Sequence, residues 1–194
     1  MAGFITNQET AFASLAVVSP KVDSLFSSPV VIDACDATTG WAAKNNDTTT
    51  LAVSSTRVEG IKSMSFAKVN GTAGTVFGAI AKTVALDLSA CKPRDCINFY
   101  VYASALTDVA SAYIRLGTDA TNYVEYSFAD STLTAGIFNR CTAPLHKFTG
   151  SLGTCINWSV VAYVEVGLTF DLESNALAGI LVDDIKVVPS LLTT

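Results

Sequence analysis

Apolar and polar residues alternate with a period of two in short segments from residue 30 onward. In segment 61–68, for example, Met64 and Phe66 alternate with serines, which is typical of a strand with one buried face. Turn residues separate the segments, and no helical periodicity intervenes. This pattern predicts an all-β fold, a jelly-roll β-sandwich of two antiparallel sheets. The predicted strands are 30–32, 51–56, 61–68, 80–88, 97–102, 112–116, 123–128, 133–138, 161–170 and 177–188.

The first 29 residues lack this alternation. Thr6 and Glu9 have the spacing of a capping box, which predicts a short helix that ends before Pro20. We therefore divide the chain into an N-terminal arm (1–29), a sandwich (30–190) and a C-terminal tail (191–194). A helix of this length needs a surface to lie on, so the arm is predicted to dock on a partner. Its predicted apolar contacts are Phe4, Ile5, Phe12, Leu15 and Val18.

Composition excludes several classes of function. The 194 residues are 50% hydrophobic and 15% charged, and the net charge is −5, which argues against a nucleic-acid partner. No apolar run is long enough to span a membrane. Residues 1–20 contain no Lys or Arg, so they do not read as a secretory signal, and we expect synthesis in a cytoplasm.

Five cysteines leave the redox state open. Cys91 with Cys96, and Cys141 with Cys155, each bracket a loop, so both pairs are candidate disulfides with Cys35 left over. Reduced thiols or late-forming disulfides are the favoured interpretation, since the spacings do not match a zinc site.

The segments that carry the clearest pattern resemble the jelly-roll sandwich of carbohydrate-binding-module-like and laminin-G-like domains. The matching segments are IDACDATTGW (32–41), VEGIKSMSF (58–66), DLS (87–89), AYIRLGTD (112–119), NYVEY (122–126), NWS (157–159) and VDDIK (182–186). The resemblance covers residues 30–188, and its motifs indicate a fold rather than an activity.

Domains of this pattern are common in structural proteins of tailed phages. The resemblance therefore implies a virion protein, a capsid decoration or cement protein that binds and stabilises the particle through its arm and its sandwich faces. Its expected partners are the major capsid protein or other virion proteins, with a homo-oligomer as the expected state. The alternative is a carbohydrate-binding module that attaches a tail or fibre to its host.

The resemblance also implies a metal site. Sandwiches of this family often hold a structural calcium ion near the first and last strands, where several oxygens converge. Asp33, Asp36, Asp183 and Asp184 are the candidate ligands here. The alternative is that Asp183 or Asp184 caps a loop through backbone amides. No other cofactor is predicted.

A set of aromatic and polar residues is predicted to share one face, opposite the core residues. Flat rings flanked by polar groups suit sugar binding, whereas a contact with another subunit or tyrosine pairing across a solvated sheet are the simpler interpretations. The set consists of Asn98, Tyr100, Tyr102, Tyr113, Arg115, Tyr123 and Glu125.

Catalytic patterns are weak. His146 lies in a loop setting, no Gly-x-Ser-x-Gly elbow occurs, and a carboxylate pair such as Glu125 with Glu165 arises in many β proteins. The sequence therefore predicts a protein that is not an enzyme.

Overall fold

The computed structural model describes residues 28–70, 74–150 and 157–189. These residues form two antiparallel sheets, as predicted, and each sheet has six strands. The five apolar arm residues predicted to contact a partner lie outside the described residues, as do Cys155 and the C-terminal tail. Within the described part of the chain, no helix is long and apolar enough to cross a membrane.

Sheet A contains the first and last strands of the sandwich. Its order is β3-β4-β12-β6-β9, and β1 also pairs with β12. The long strand β12 thus has β4 beside its first half and β1 beside its second half. The strands of sheet A are β1 (Val30–Asp33), β3 (Thr48–Ser54), β4 (Ser63–Lys68), β6 (Cys96–Tyr102), β9 (Phe138–Pro144) and β12 (Leu177–Val188).

Sheet B has the order β10-β8-β7-β11-β5-β2. Its centre is β11, which pairs over most of its length with β5 on one side and β7 on the other. The strands of sheet B are β2 (Trp41–Ala43), β5 (Phe77–Leu86), β7 (Val109–Gly117), β8 (Tyr123–Ala129), β10 (Thr149–Gly150) and β11 (Val161–Phe170).

The core lies between the inward faces of the two sheets. Alternate residues of each strand enter it, because successive side chains of a strand point to opposite sides. The rings of Phe99 from sheet A and Phe128 from sheet B meet edge to face at 5.8 Å. Other fully buried apolar members are Met64, Phe66, Ile80, Ile97, Ile114, Leu116, Val164, Leu168, Ile180 and Val182.

One predicted strand is wrong. Segment 133–138 is not a strand, because a 3-10 turn (Asp130–Thr132) precedes it and Gly136 has a left-handed φ of 76°. The side chain of Asn139 holds this turn, accepting from the amide of Thr134 and donating to its carbonyl. The strand begins only at Phe138, and the short strands β2 and β10 were not predicted.

Lys68 is a buried cation at the end of β4. Its ammonium donates to the carbonyls of Val69, Glu173 and Asn175 at 2.7–3.0 Å and lies 5.8 Å from the centre of the Phe170 ring. A buried ammonium is tolerated when its donors are satisfied in this way. Lys68 therefore fastens the loop between β11 and β12 to the edge of β4.

The four cysteines of the described residues are free thiols, so the candidate Cys91–Cys96 disulfide is not formed in this structure. Cys91 packs against the core, whereas Cys96 lies on the outward side of β6, because its neighbour Ile97 faces inward. Cys141 is buried in the core from β9, and Cys35 is buried beside β12.

Burial of Cys141 makes stability sensitive to alkaline pH. Desolvation raises the pKa of this thiol from 9.0 to about 12. In the unfolded chain the thiol ionises near pH 9. The free energy of unfolding is therefore unaffected by this thiol below pH 9, and it falls between pH 9 and 12, where the unfolded chain loses the proton that the folded state retains. At pH 10.5 we expect the loss to be about 2 kcal/mol, at about 1.4 kcal/mol per pH unit.

Urea unfolding under reducing conditions at pH 8 and pH 10.5 measures this effect. In Cys141→Ala, the difference in unfolding free energy between the two pH values should shrink by about 2 kcal/mol relative to wild type. The buried tyrosines of sheet B are present in both proteins, so they contribute equally to the change in unfolding free energy between the two pH values. An unchanged difference would show that the thiol does not carry the effect.

Candidate functional site

The seven residues predicted to share one face lie on two different sheets. Asn98, Tyr100 and Tyr102 belong to β6 in sheet A, while the other four belong to β7 and β8 in sheet B. Each group lies on the outward side of its own strands, as the alternation predicts. The prediction of a single face is therefore wrong, since the chain changes sheets between β6 and β7.

The sheet A group surrounds a buried amide. Asn98 lies between Lys186 of β12 and Thr142 of β9, and neither polar atom of its side chain has a hydrogen-bond partner among the described residues. Nearby, the ring of Tyr102 packs at 5.6 Å from the ring of Phe138. This surface thus carries half-buried rings on the same face of β6 as an amide without a hydrogen-bond partner among the described residues.

The sheet B group centres on Arg115. The register places Arg115 directly between Glu165 of β11 and Glu125 of β8. Its Nη1 donates to Glu165 Oε1 at 2.7 Å, and its Nε donates to Glu125 Oε2 at 2.6 Å. The guanidinium carbon lies 4.5 Å from the ring centre of Tyr113 and 4.6 Å from that of Tyr123. Two carboxylates and two rings therefore fix this cation.

The carboxylate of Glu165 is fully buried and collects further donors. Tyr113 Oη donates to its Oε1 at 2.8 Å, and Tyr163 Oη donates to its Oε2. Lys44 Nζ lies 3.4 Å from Oε2 and donates to Tyr163 Oη at 2.8 Å. We call this set (Lys44, Tyr113, Arg115, Tyr123, Glu125, Tyr163 and Glu165) the Glu165 network.

The protonation states of the network follow from burial and charge. Burial, together with the charge of Glu165, raises the pKa of Tyr113 well above its usual value. Burial and the hydrogen bond to Glu165 likewise raise the pKa of Tyr163. Burial alone would lower the pKa of Arg115. Its neighbours Tyr113, Glu165 and Glu125 raise this pKa by more than burial lowers it, so the net shift is upward. Both tyrosines are therefore neutral and Arg115 is charged at physiological pH.

Parts of the network remain accessible. The side chains of Arg115, Lys44 and Glu125 are 17%, 22% and 30% exposed, and the Tyr123 ring is half-buried. Phe77 is also half-buried, and its ring centre lies 6.0 Å from the guanidinium carbon of Arg115. The surface therefore offers rings beside donors and acceptors whose positions are already fixed. In contrast, Tyr113 is fully buried and is not an accessible platform.

Sequence reasoning did not include Lys44, Tyr163 and Glu165 in this face. For two of them the sequence does indicate the outward face of the strand, because Tyr163 and Glu165 alternate with the core residues Val164 and Val166 along β11. Outward residues that are as buried as the core indicate that something packs on them. Lys44 gave no such signal, since it follows a three-residue strand.

The pairing of β1 with β12 places Asp33 opposite Ile185, the neighbour of Asp184. Both carboxylates are already engaged, however. Asp33 forms an ion pair with Lys82 at 2.6 Å, and Asp184 forms one with Lys186 at 2.5 Å.

The other two carboxylates hold a loop. Asp183 accepts from the amides of Val58 and Glu59, and Asp36 accepts from those of Ile61 and Lys62, all at 2.6–3.0 Å. This is the amide-capping alternative for Asp183.

One oxygen of this acidic cluster, Asp183 Oδ1, is buried and has no hydrogen-bond partner among the described residues. Calcium needs six to eight oxygens. No group of three or more His, Cys, Asp or Glu residues in the described chain is arranged to hold a metal ion. This arrangement does not fit a calcium ion, and Lys82 and Lys186 supply positive charge in its place.

His146 has a structural partner. Its Nδ1 lies 2.9 Å from the carbonyl oxygen of Pro93, which fixes the ring in the loop after β9. The predicted absence of catalysis stays a prediction.

Comparison with known proteins identifies the fold. No protein-family model matches the chain, and no curated protein sequence matches it either. Among solved structures, it is similar to the family 11 carbohydrate-binding module from Clostridium thermocellum bound to a β-1,3-1,4-mixed-linked tetrasaccharide. The TM-score is 0.62 at 11% identity, over 86% of this chain and all of that module.

Two further structures show the same architecture. A family 28 module specific for non-crystalline cellulose matches with a TM-score of 0.52 and 12% identity, over 84% of this chain and 94% of that one. An exo-β-agarase matches with a TM-score of 0.60 and 9% identity, but over only 25% of its length. The chain therefore has the jelly-roll β-sandwich fold of carbohydrate-binding modules.

Proposed function

We propose that this protein binds a glycan on the outward face of sheet B, through the accessible part of the Glu165 network. The observation that carries the proposal is Arg115, a cation held between two carboxylates and two tyrosine rings. Groups fixed before binding lose little entropy when a ligand arrives, so they favour recognition. The fold shared with carbohydrate-binding modules supports the same conclusion.

The charge balance favours an uncharged sugar. Lys44 and Arg115 contribute two positive charges, and Glu125 and Glu165 contribute two negative ones. An acidic sugar would have to compete with carboxylates that already occupy both cations. A neutral sugar can instead stack on Tyr123 and share hydrogen bonds with the exposed edges of Arg115 and Glu125.

The virion role stays a prediction, as do the capsid partner and the homo-oligomer. A subunit contact on this same face is the competing interpretation. It differs from glycan binding in one measurable respect, because it requires a second copy of the chain.

A glycan array followed by calorimetry tests the proposal. We expect wild type to bind neutral oligosaccharides and Tyr123→Ala to bind them up to about tenfold more weakly, since stacking on one ring is worth about 0.5–1.5 kcal/mol. Tyr102→Ala is the matched control, because Tyr102 is a half-buried tyrosine on the outward face of sheet A. It should bind like wild type.

Three results would contradict the proposal. They are a silent array, equal binding by wild type and Tyr123→Ala, and a dimer in sedimentation experiments that Tyr123→Ala dissociates. Incubation with the bound oligosaccharide should release no new reducing ends if the protein is not an enzyme.

A further inference from the structure

A cleft lies at one end of the sandwich, away from the Glu165 network. The loop between β5 and β6, the turn after β9 and the segment before β11 meet there. Its volume is about 130 Å³. The lining residues are Leu88, Ser89, Cys91, Lys92, Pro93, Leu145, His146 and Trp158.

Backbone hydrogen bonds fix the walls of this cleft. Leu88 N donates to Trp158 O at 2.7 Å, which ties the end of β5 to the tryptophan. On the opposite wall, His146 N donates to Pro93 O at 2.9 Å, and the His146 ring contacts the same carbonyl. The cleft is therefore part of the folded framework rather than a gap between side chains.

The size and walls select a single ring. An apolar cavity of about 150 Å³ in another protein accommodates benzene, so this cleft holds about one six-membered ring and not a chain of them. Leu88 and Leu145 are buried and provide apolar walls. The Trp158 ring forms a third wall and is itself held by edge contact with Phe148 at 6.3 Å.

The rim favours a negative group on that ring. Lys92 lines the cleft, and it forms no ion pair with any described residue, while no carboxylate belongs to the lining. Two carboxylates lie beside the lining, and backbone amides of lining residues already bind them. Asp87 accepts from the amide of Ser89, and the largely buried Asp95 accepts from the amide of Lys92.

His146 adds no negative charge to the cleft. Its Nδ1 lies 2.9 Å from the Pro93 carbonyl oxygen, which can only accept a hydrogen bond, so Nδ1 is the donor. Lys92 therefore gives the lining one positive charge and no negative one, in a protein whose net charge is −5.

We propose that this cleft binds a small six-membered ring that carries a carboxylate, with the ring against Trp158 and the carboxylate on Lys92. Two sources share this chemistry, an aromatic acid and a hexuronic acid. The site is separate from the proposed glycan face, so either can fail without the other.

Tryptophan fluorescence reports on the cleft directly. The chain has two tryptophans, and Trp41 is buried in the core while Trp158 lines the cleft. We expect benzoate or glucuronate to change the emission of the full-length protein saturably in the millimolar range. Benzyl alcohol, which lacks the charge, should bind at least about fivefold more weakly. A response to benzoate alone would assign the aromatic acid, and a response to glucuronate alone would assign the sugar acid.

Matched variants separate a built site from general attraction. Lys92→Met should weaken binding about fivefold, whereas Lys147→Met, which removes an exposed lysine outside the lining, should leave it unchanged. Tyr123→Ala on the glycan face should also bind like wild type. The proposal is overturned if no carboxylate saturates the signal, if benzyl alcohol binds equally well, or if the two lysine variants weaken binding equally.

Discussion

Replacing Glu165 with alanine should lower the free energy of unfolding by about 4 kcal/mol. Breaking a buried ion pair by removing one partner typically costs 3–5 kcal/mol, because the remaining charge stays buried without compensation. Here the loss affects Arg115, whose guanidinium depends on Glu165, and also Tyr113 and Tyr163, whose hydroxyls lose their acceptor. Urea unfolding at pH 7 measures the effect.

Glu125→Ala is the matched control. Glu125 also accepts from Arg115, but its side chain is 30% exposed, so water can replace the lost contact. We expect a loss of at most about 1 kcal/mol, as for a surface ion pair. Equal losses for the two variants would show that Glu165 does not organise the network. A stable Glu165→Ala protein that still bound glycan would contradict its role in holding Arg115 in place.

The alternation of residues predicted the strands well but not their assignment to sheets. A period of two tells which side of a strand a residue occupies, and the buried positions of Ile97 and Phe99 confirm this for β6. It does not tell which sheet the strand joins. Tyr102 and Tyr113 therefore appeared to share a face although β6 and β7 lie in different sheets.

The acidic cluster shows a second limit of prediction from the sequence, which concerns the partners of charged side chains. Pairing of the first and last strands was a sound inference, and it does bring Asp33 beside Asp184. The partners of these carboxylates come from distant parts of the chain, such as Lys82 on β5 in the other sheet. Long-range ion pairs of this kind have no local sequence signature. The positions of the carboxylates in the sequence therefore could not tell whether calcium or lysine side chains balance their charge.

Gly167 is a local signal that the structure explains. A glycine inside a strand often marks a close approach of backbones. Gly167 lies in the middle of β11, opposite Tyr113 on β7 and Ala79 on β5. A Cβ atom at this position would lie 2.4 Å from the carbonyl oxygen of Gly78 and 2.5 Å from the Cβ of Ala79. Neither neighbour can move without displacing the backbone or side chain of β5.

Gly167→Ala should therefore lower the free energy of unfolding by about 3 kcal/mol, the upper end of the usual cost of overpacking. Gly136→Ala is the control, because Gly136 has a φ of 76° and nothing lies within 4 Å of an added Cβ. Its left-handed backbone alone should cost about 1 kcal/mol. Because β11 also carries Glu165, the strand shift in Gly167→Ala should weaken glycan binding, while Gly136→Ala should bind normally. Equal stability of the two variants would mean that β5 and β11 separate easily, and the Glu165 network would then not rest on a rigid sheet.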